Sequence, residues 1–97
     1  MQSLEDLVIR FDINPSHTLK QQNRNERQQN NTLYETCWYV ETDESRRVVA
    51  RYRSWSNQGM IAPYRIQLGW ERYTPEGMLL EREVKYDLHE PTANALH

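Results

Sequence analysis

The chain has one cysteine, one phenylalanine, three glycines and four prolines in 97 residues, and each scarcity excludes something. One thiol, Cys37, cannot close an internal disulfide or build a site of several thiolates. It reads as a buried, inert group, and the chain as one suited to a reducing, cytoplasmic compartment. Gly59, Gly69 and Gly77 stand apart from one another, so no glycine-rich loop exists to cradle a phosphate. No aliphatic run exceeds three residues, as at Leu7 to Ile9, against the roughly 20 needed to cross a bilayer, so no membrane association is expected. The acidic opening Met-Gln-Ser-Leu-Glu-Asp lacks the basic and apolar parts of a secretory signal.

Chemistry-bearing clusters are equally sparse. His17, His89 and His97 show no paired ligand spacing, so neither a metal nor another cofactor is expected. The chain order offers no nucleophile beside a histidine and an orienting acid. Glu81 and Glu83 share one strand face and read as solvated carboxylates. A thin sheet leaves little depth for a ligand cavity of about 300–1,000 Å³. These features point to a non-enzymatic protein.

What is present is polar, arginine-rich and aromatic. Hydrophobic residues make up 37% and charged ones 27% of the chain, so a single small core is the ceiling. The net charge of −2 hides segregation: residues 46–73 carry six arginines against Glu71, whereas 33–45 carry four acids and no base. Ten of the twelve basic residues are Arg, whose planar fork suits carboxylates, phosphates and aromatic rings.

Residues 4–14 support two periods. Leu4, Leu7, Val8 and Phe11 repeat as on a helix behind a possible Ser3 cap, whereas Leu7, Ile9, Phe11 and Ile13 alternate as in a strand. The β-branched and aromatic content favours a strand over 7–13, with a short helix as the alternative. Residues 20–31 hold no apolar side chain, which predicts a mobile linker over 20–32. The tail, 90–97, reads as similarly loose.

Strand signals dominate 33–89. Residues 33–42 and 46–56 flank an Asp43-Glu44-Ser45 turn and form one hairpin. Residues 64–73 and the stretch after Met78 flank Thr74-Pro75-Glu76-Gly77, a three-residue hairpin loop with proline and glycine where φ requires them. Pairing Thr74 with Met78 sets Leu68 against Val84, Ile66 against Tyr86, Tyr64 against Leu88, Trp70 against Arg82, Arg65 against Asp87 and Glu71 against Glu81. Even positions from 48 to 88 then point inward. The expected fold is mainly β: a four-stranded antiparallel meander of two hairpins, with an N-terminal strand or helix (1–19) packed on it.

The outer face of this sheet carries the candidate binding residues Arg51, Arg53, Trp55, Arg65, Gln67 and Tyr73. Arginine interleaved with rings suits a protein interface and also single-stranded nucleic acid. The acidic whole, pI about 5.9, favours the protein. The expectation is a small binding or adaptor module engaging a protein partner, and a homodimer that covers the aromatic first strand. Two alternatives stand beside it: a single-strand nucleic-acid binder, and a ligand-binding or catalytic half-barrel with a pocket formed by Tyr52, Tyr64, Trp70, Arg82 and Tyr86.

Overall fold

The computed structural model describes residues 4–89; the expected Ser3 cap and the 90–97 tail lie outside them. One short helix, α1 (Leu4–Phe11), precedes five strands, β1 (Thr18–Gln29), β2 (Thr32–Thr42), β3 (Val48–Gly59), β4 (Tyr64–Tyr73) and β5 (Leu79–His89). They form one antiparallel sheet in chain order. The fold is mainly β, a meander carrying a short N-terminal helix.

Helical period wins in the N-terminal segment because it buries Leu7 completely and turns Phe11 onto the Tyr52 ring, with centroids 5.2 Å apart. Asp12 ends the helix in a left-handed conformation at φ 50°, and the Ile13 amide bonds back to the Val8 carbonyl at 3.1 Å, the pattern of a Schellman cap. Ile13 thereby reaches the core with Cys37, Tyr39, Ala50, Tyr52 and Trp70. Arg10 lies 3.7 Å over the Trp70 ring and pairs with Glu83, fastening α1 towards β5. The core face of the sheet is the one beneath α1.

The segment read as a mobile linker is the greater part of β1. Asn30 and Asn31, at φ 51° and 58°, make the two-residue turn that lets Gln29 pair with Thr32. An apolar side chain is unnecessary here: β2 is a template already held by β3, and every residue of β1 after Leu19 stays exposed. Local contacts add to the ladder, as where Arg27 stacks 4.6 Å above Tyr34.

The β4–β5 register departs from expectation by one residue. The turn itself forms as read: Gly77 takes φ 98° and the Thr74 amide donates to the Met78 carbonyl at 2.8 Å. Tyr73 pairs with Leu79, but Arg72 pairs with Glu81, so Leu80 is the extra residue of a bulge. Beyond it Gly69 faces Val84, Leu68 faces Lys85, Gln67 faces Tyr86, Ile66 faces Asp87, Arg65 faces Leu88, Tyr64 faces His89 and Trp70 faces Glu83. The bulge exchanges a like-charge pair, Glu71 with Glu81, for Glu71 with Arg82 and Arg72 with Glu81, whose nearest atoms are each 3.2 Å apart. Inward parity therefore holds for even residues of β4 and for those of β3 from Ala50 onward, where a bulge at Val49 sets Val48 against Thr42, and fails for β5.

Candidate functional site

The face opposite α1 is built from alternate residues of all five strands. On β2, Cys37 and Tyr39 enter the core, which directs Tyr34 and Trp38 to the other side. Arg51, Arg53, Trp55 and Asn57 lie beside them on β3, and Tyr73, Glu71, Gly69, Gln67 and Arg65 follow on β4. Through the bulge, Arg82, Val84 and Tyr86 of β5 join this face, as do Lys20 and Arg27 of β1. Six cations, Lys20, Arg27, Arg51, Arg53, Arg65 and Arg82, thus share strand positions with the single carboxylate Glu71.

Glu71 organises the centre. It is 3% exposed, and such a burial is tolerable only because the charge is met by opposite charge and hydrogen bonds. Arg53 Nη1 approaches Oε1 at 3.3 Å and Arg82 Nε approaches Oε2 at 3.2 Å, while the Tyr73 hydroxyl donates to Oε1. Burial, and then that bond to a carboxylate, pushes the Tyr73 phenol above its ordinary value.

Trp55 differs from its expected exposure. The indole is 7% exposed because it lies flat across Gly69, where an added Cβ would sit 1.9 Å from Trp55 Cζ2. A glycine is required there by close approach. Arg53 and Arg82 stack on the same indole at 4.5 and 5.5 Å. The Trp70–Arg82 contact anticipated from sequence is replaced by this one, since the two residues lie on opposite faces.

Arg51, Arg53, Gln67 and Tyr73 are half-buried and Arg65 is exposed, all on the anticipated face. Arg51 Nε donates to the Pro75 carbonyl at 2.8 Å, and Gln67 accepts from Asn57 at 2.7 Å. Arg27, Tyr34, Trp38 and Glu71 are not among the binding residues expected from the sequence, and Arg82 is expected instead in the pocket on the opposite face. Trp38 is 36% exposed and stands 5.9 Å from the Tyr73 ring. A hollow of about 300 Å³, lined by Asn23, Asn25, Arg27, Tyr34, Trp38 and Arg53 among others, opens beside it. At the far end of the face a broader groove of about 860 Å³ runs between Asn31, Asn57, Ile61, Pro63, Arg65 and Tyr86.

The half-barrel pocket is not assembled. Tyr52 and Trp70 pack under α1, Tyr64 lies at the end of β4 on that same side, and Arg82 and Tyr86 occupy the opposite face. Beneath α1 the buried Glu41 accepts from the Tyr52 hydroxyl at 2.6 Å and meets His17 Nδ1 at 2.5 Å. Burial first, then the neighbouring carboxylate, raises the Tyr52 phenol far above its ordinary value. Tyr52 is 1% exposed and Glu41 is buried, so these two lie within the core, while His17 is half-buried at its rim.

Among the described residues no three His, Cys, Asp or Glu side chains converge as metal ligands, and no helix is long and apolar enough to cross a membrane. Comparison with known proteins finds no matching family model, curated protein or solved structure.

Proposed function

We propose that the protein is a non-enzymatic binding module whose cationic, aromatic sheet face engages an acidic segment of a protein partner. The observation that carries this reading is the charge of that face: six cations against one carboxylate that is already neutralised, on a chain of net charge −2. Complementary charge of this kind steers association and sets register.

The stacking pattern favours a carboxylate-bearing partner over single-stranded nucleic acid. Base recognition along a strand needs successive open ring faces, whereas here Arg27 covers Tyr34, Arg53 and Arg82 cover Trp55, and the exposed rings of Trp38 and Tyr86 stand three strands apart. Their stems and planes are held in place by the rings, so guanidinium edges are presented with reduced rotamer freedom, the arrangement suited to bidentate carboxylate contacts. Exposed Trp38, which lines the hollow beside Arg53, supplies the apolar anchor that such interfaces use as a hot spot.

Fluorescence anisotropy with a labelled peptide of alternating Glu and Phe, beside an oligothymidylate of equal charge, tests this reading. At physiological salt the peptide is expected to bind saturably and more tightly than the oligonucleotide. Trp38→Ala is expected to weaken it about 30-fold, as a hot-spot truncation does, and Arg51→Glu with Arg65→Glu to weaken it further. Tighter binding of the oligonucleotide, with a steep salt slope, would move the assignment to nucleic acid. Equal peptide binding by wild type and variants would discard the face.

A further inference from the structure

Among the described residues, β1 has no strand beside its outer edge. Its inner edge pairs with β2, and β1 is the outermost strand on that side of the sheet. The strand is twelve residues long, holds no proline, and from Lys20 onward buries no side chain. A long unpaired edge is a template for another strand. Both edges carry a bulge, at Gln22 in β1 and at Leu80 in β5, but the β5 edge is also flanked by the Arg10–Glu83 link to α1.

The side chains of β1 state what would fit. Residues 21–29 read Gln-Gln-Asn-Arg-Asn-Glu-Arg-Gln-Gln, a sequence complementary to itself when reversed about Asn25. Antiparallel pairing of two copies on that centre sets Arg24 against the partner copy's glutamate at 26, twice by symmetry. It also sets Asn23 against arginine 27, so the regular ladder spans 23–27 and ends at the bulged Gln22. Opposite charges in directly paired positions stabilise such a ladder.

The single copy shows a matching imbalance. Glu26 and Glu35 are paired directly across β1 and β2, two like charges, and one guanidinium serves both: Arg24 Nη2 reaches Glu26 at 3.3 Å and also pairs with Glu35. Pairing about Asn25 brings a second guanidinium to Glu26 from outside the chain.

We infer that the β1 edge is a homodimer interface, in which two copies pair antiparallel about Asn25 to form a continuous ten-stranded sheet. Because paired residues share a face, the two-fold axis runs perpendicular to the sheet and both cationic faces lie on one side. The hollow bounded by Asn23, Asn25 and Arg27 then joins its counterpart in one trough across the axis. The inference is independent of the partner proposed above: the edge pairs through backbone and the Arg24–Glu26 contacts, which lie on the α1 side.

Cysteine placement tests the register. In the full-length chain, Asn25→Cys sits opposite its own copy, at the Cα separation of about 4.5–5.5 Å that a disulfide can span. Asn23→Cys is opposite position 27, about 13 Å from its copy along the strand. Under mild oxidation Asn25→Cys is expected to convert to a covalent dimer and Asn23→Cys to remain uncrosslinked; buried Cys37 is common to both. By sedimentation equilibrium at micromolar concentration, the wild type is expected to be dimeric. Glu26→Arg relieves the like charges within the chain but opposes arginines between chains, and is expected to weaken the dimer about tenfold or more. Adding Arg24→Glu restores opposite signs and is expected to recover dimerisation. A monomeric wild type, equal crosslinking at 23 and 25, or a dimer indifferent to Glu26→Arg would each overturn the inference.

Discussion

Gly69→Ala probes the packing on which the cationic face is built. A Cβ at this position would meet three atoms of the Trp55 ring, Cζ2, Cε2 and Cη2, at 1.9, 2.1 and 2.2 Å. Carbon atoms need about 3.5–4.0 Å, so the indole must lift by more than an ångström or leave its site. Overpacking of this kind costs about 1–3 kcal/mol. Loss of the Arg53 and Arg82 stacks adds about 0.5–1 kcal/mol each where the pair is partly exposed. Against this stands a gain of about 0.4–1 kcal/mol from restricting the unfolded chain. The clash wins, leaving a net loss of about 3 kcal/mol, which lowers Tm by about 12–24 °C in a domain of this size. Urea unfolding followed by tryptophan fluorescence measures it, and native emission should shift to the red as Trp55 meets water. In a Trp55→Ala background the same substitution should be neutral or mildly stabilising. A Gly69→Ala protein of unchanged or greater stability with unshifted emission would refute the packing argument.

Glu71→Gln should destabilise by about 1–2 kcal/mol in urea titrations, because Arg53 and Arg82 lose a charge-assisted acceptor but keep partial solvent access; no change would mean that the carboxylate does not organise the face. Tyr52→Phe should cost about 1–2 kcal/mol by the same assay, since the buried Glu41 loses a donor, and a neutral result would contradict the hydrogen bond. Burial raises the phenols of Tyr39, Tyr52 and Tyr73. Their contribution to stability is therefore complete below the unfolded tyrosine value of about 10 and is lost as pH rises through the folded values. Tyrosinate absorbance should rise later in the native protein than in the unfolded chain because Tyr39, Tyr52 and Tyr73 are held neutral, and coincident native and unfolded titrations would contradict this.

Much of the fold was legible because local chemistry agreed with global pairing. Thr74-Pro75-Glu76-Gly77 forms the turn that its residues require, and the alternation in β3 and β4 places Tyr52 and Trp70 under α1 with Arg51, Arg53 and Arg65 opposite. Two elements were hidden for different reasons. Strand β1 draws its order from backbone pairing with an established neighbour, which side-chain hydropathy does not report; the Asn30-Asn31 turn was its local signal. The Leu80 bulge shifts β5 by one residue after a correctly read turn, and only the balance of charges around Glu71 distinguishes the two registers. The same slip scattered the expected aromatic pocket and brought Arg82 to Trp55. Exposure of Trp55 was misjudged because Gly69, its cross-strand partner, offers a bare backbone on which the ring lies.

The three tryptophans report the two faces separately: Trp38 and Trp55 on the cationic side, Trp70 beneath α1. Titrating isotope-labelled protein with the Glu/Phe peptide and following the three indole N–H resonances tests the binding face most directly. Saturable shifts of the Trp38 and Trp55 signals, with that of Trp70 stationary, are the predicted outcome. Movement of Trp70 alone, or no saturable movement of Trp38 and Trp55, would contradict the account.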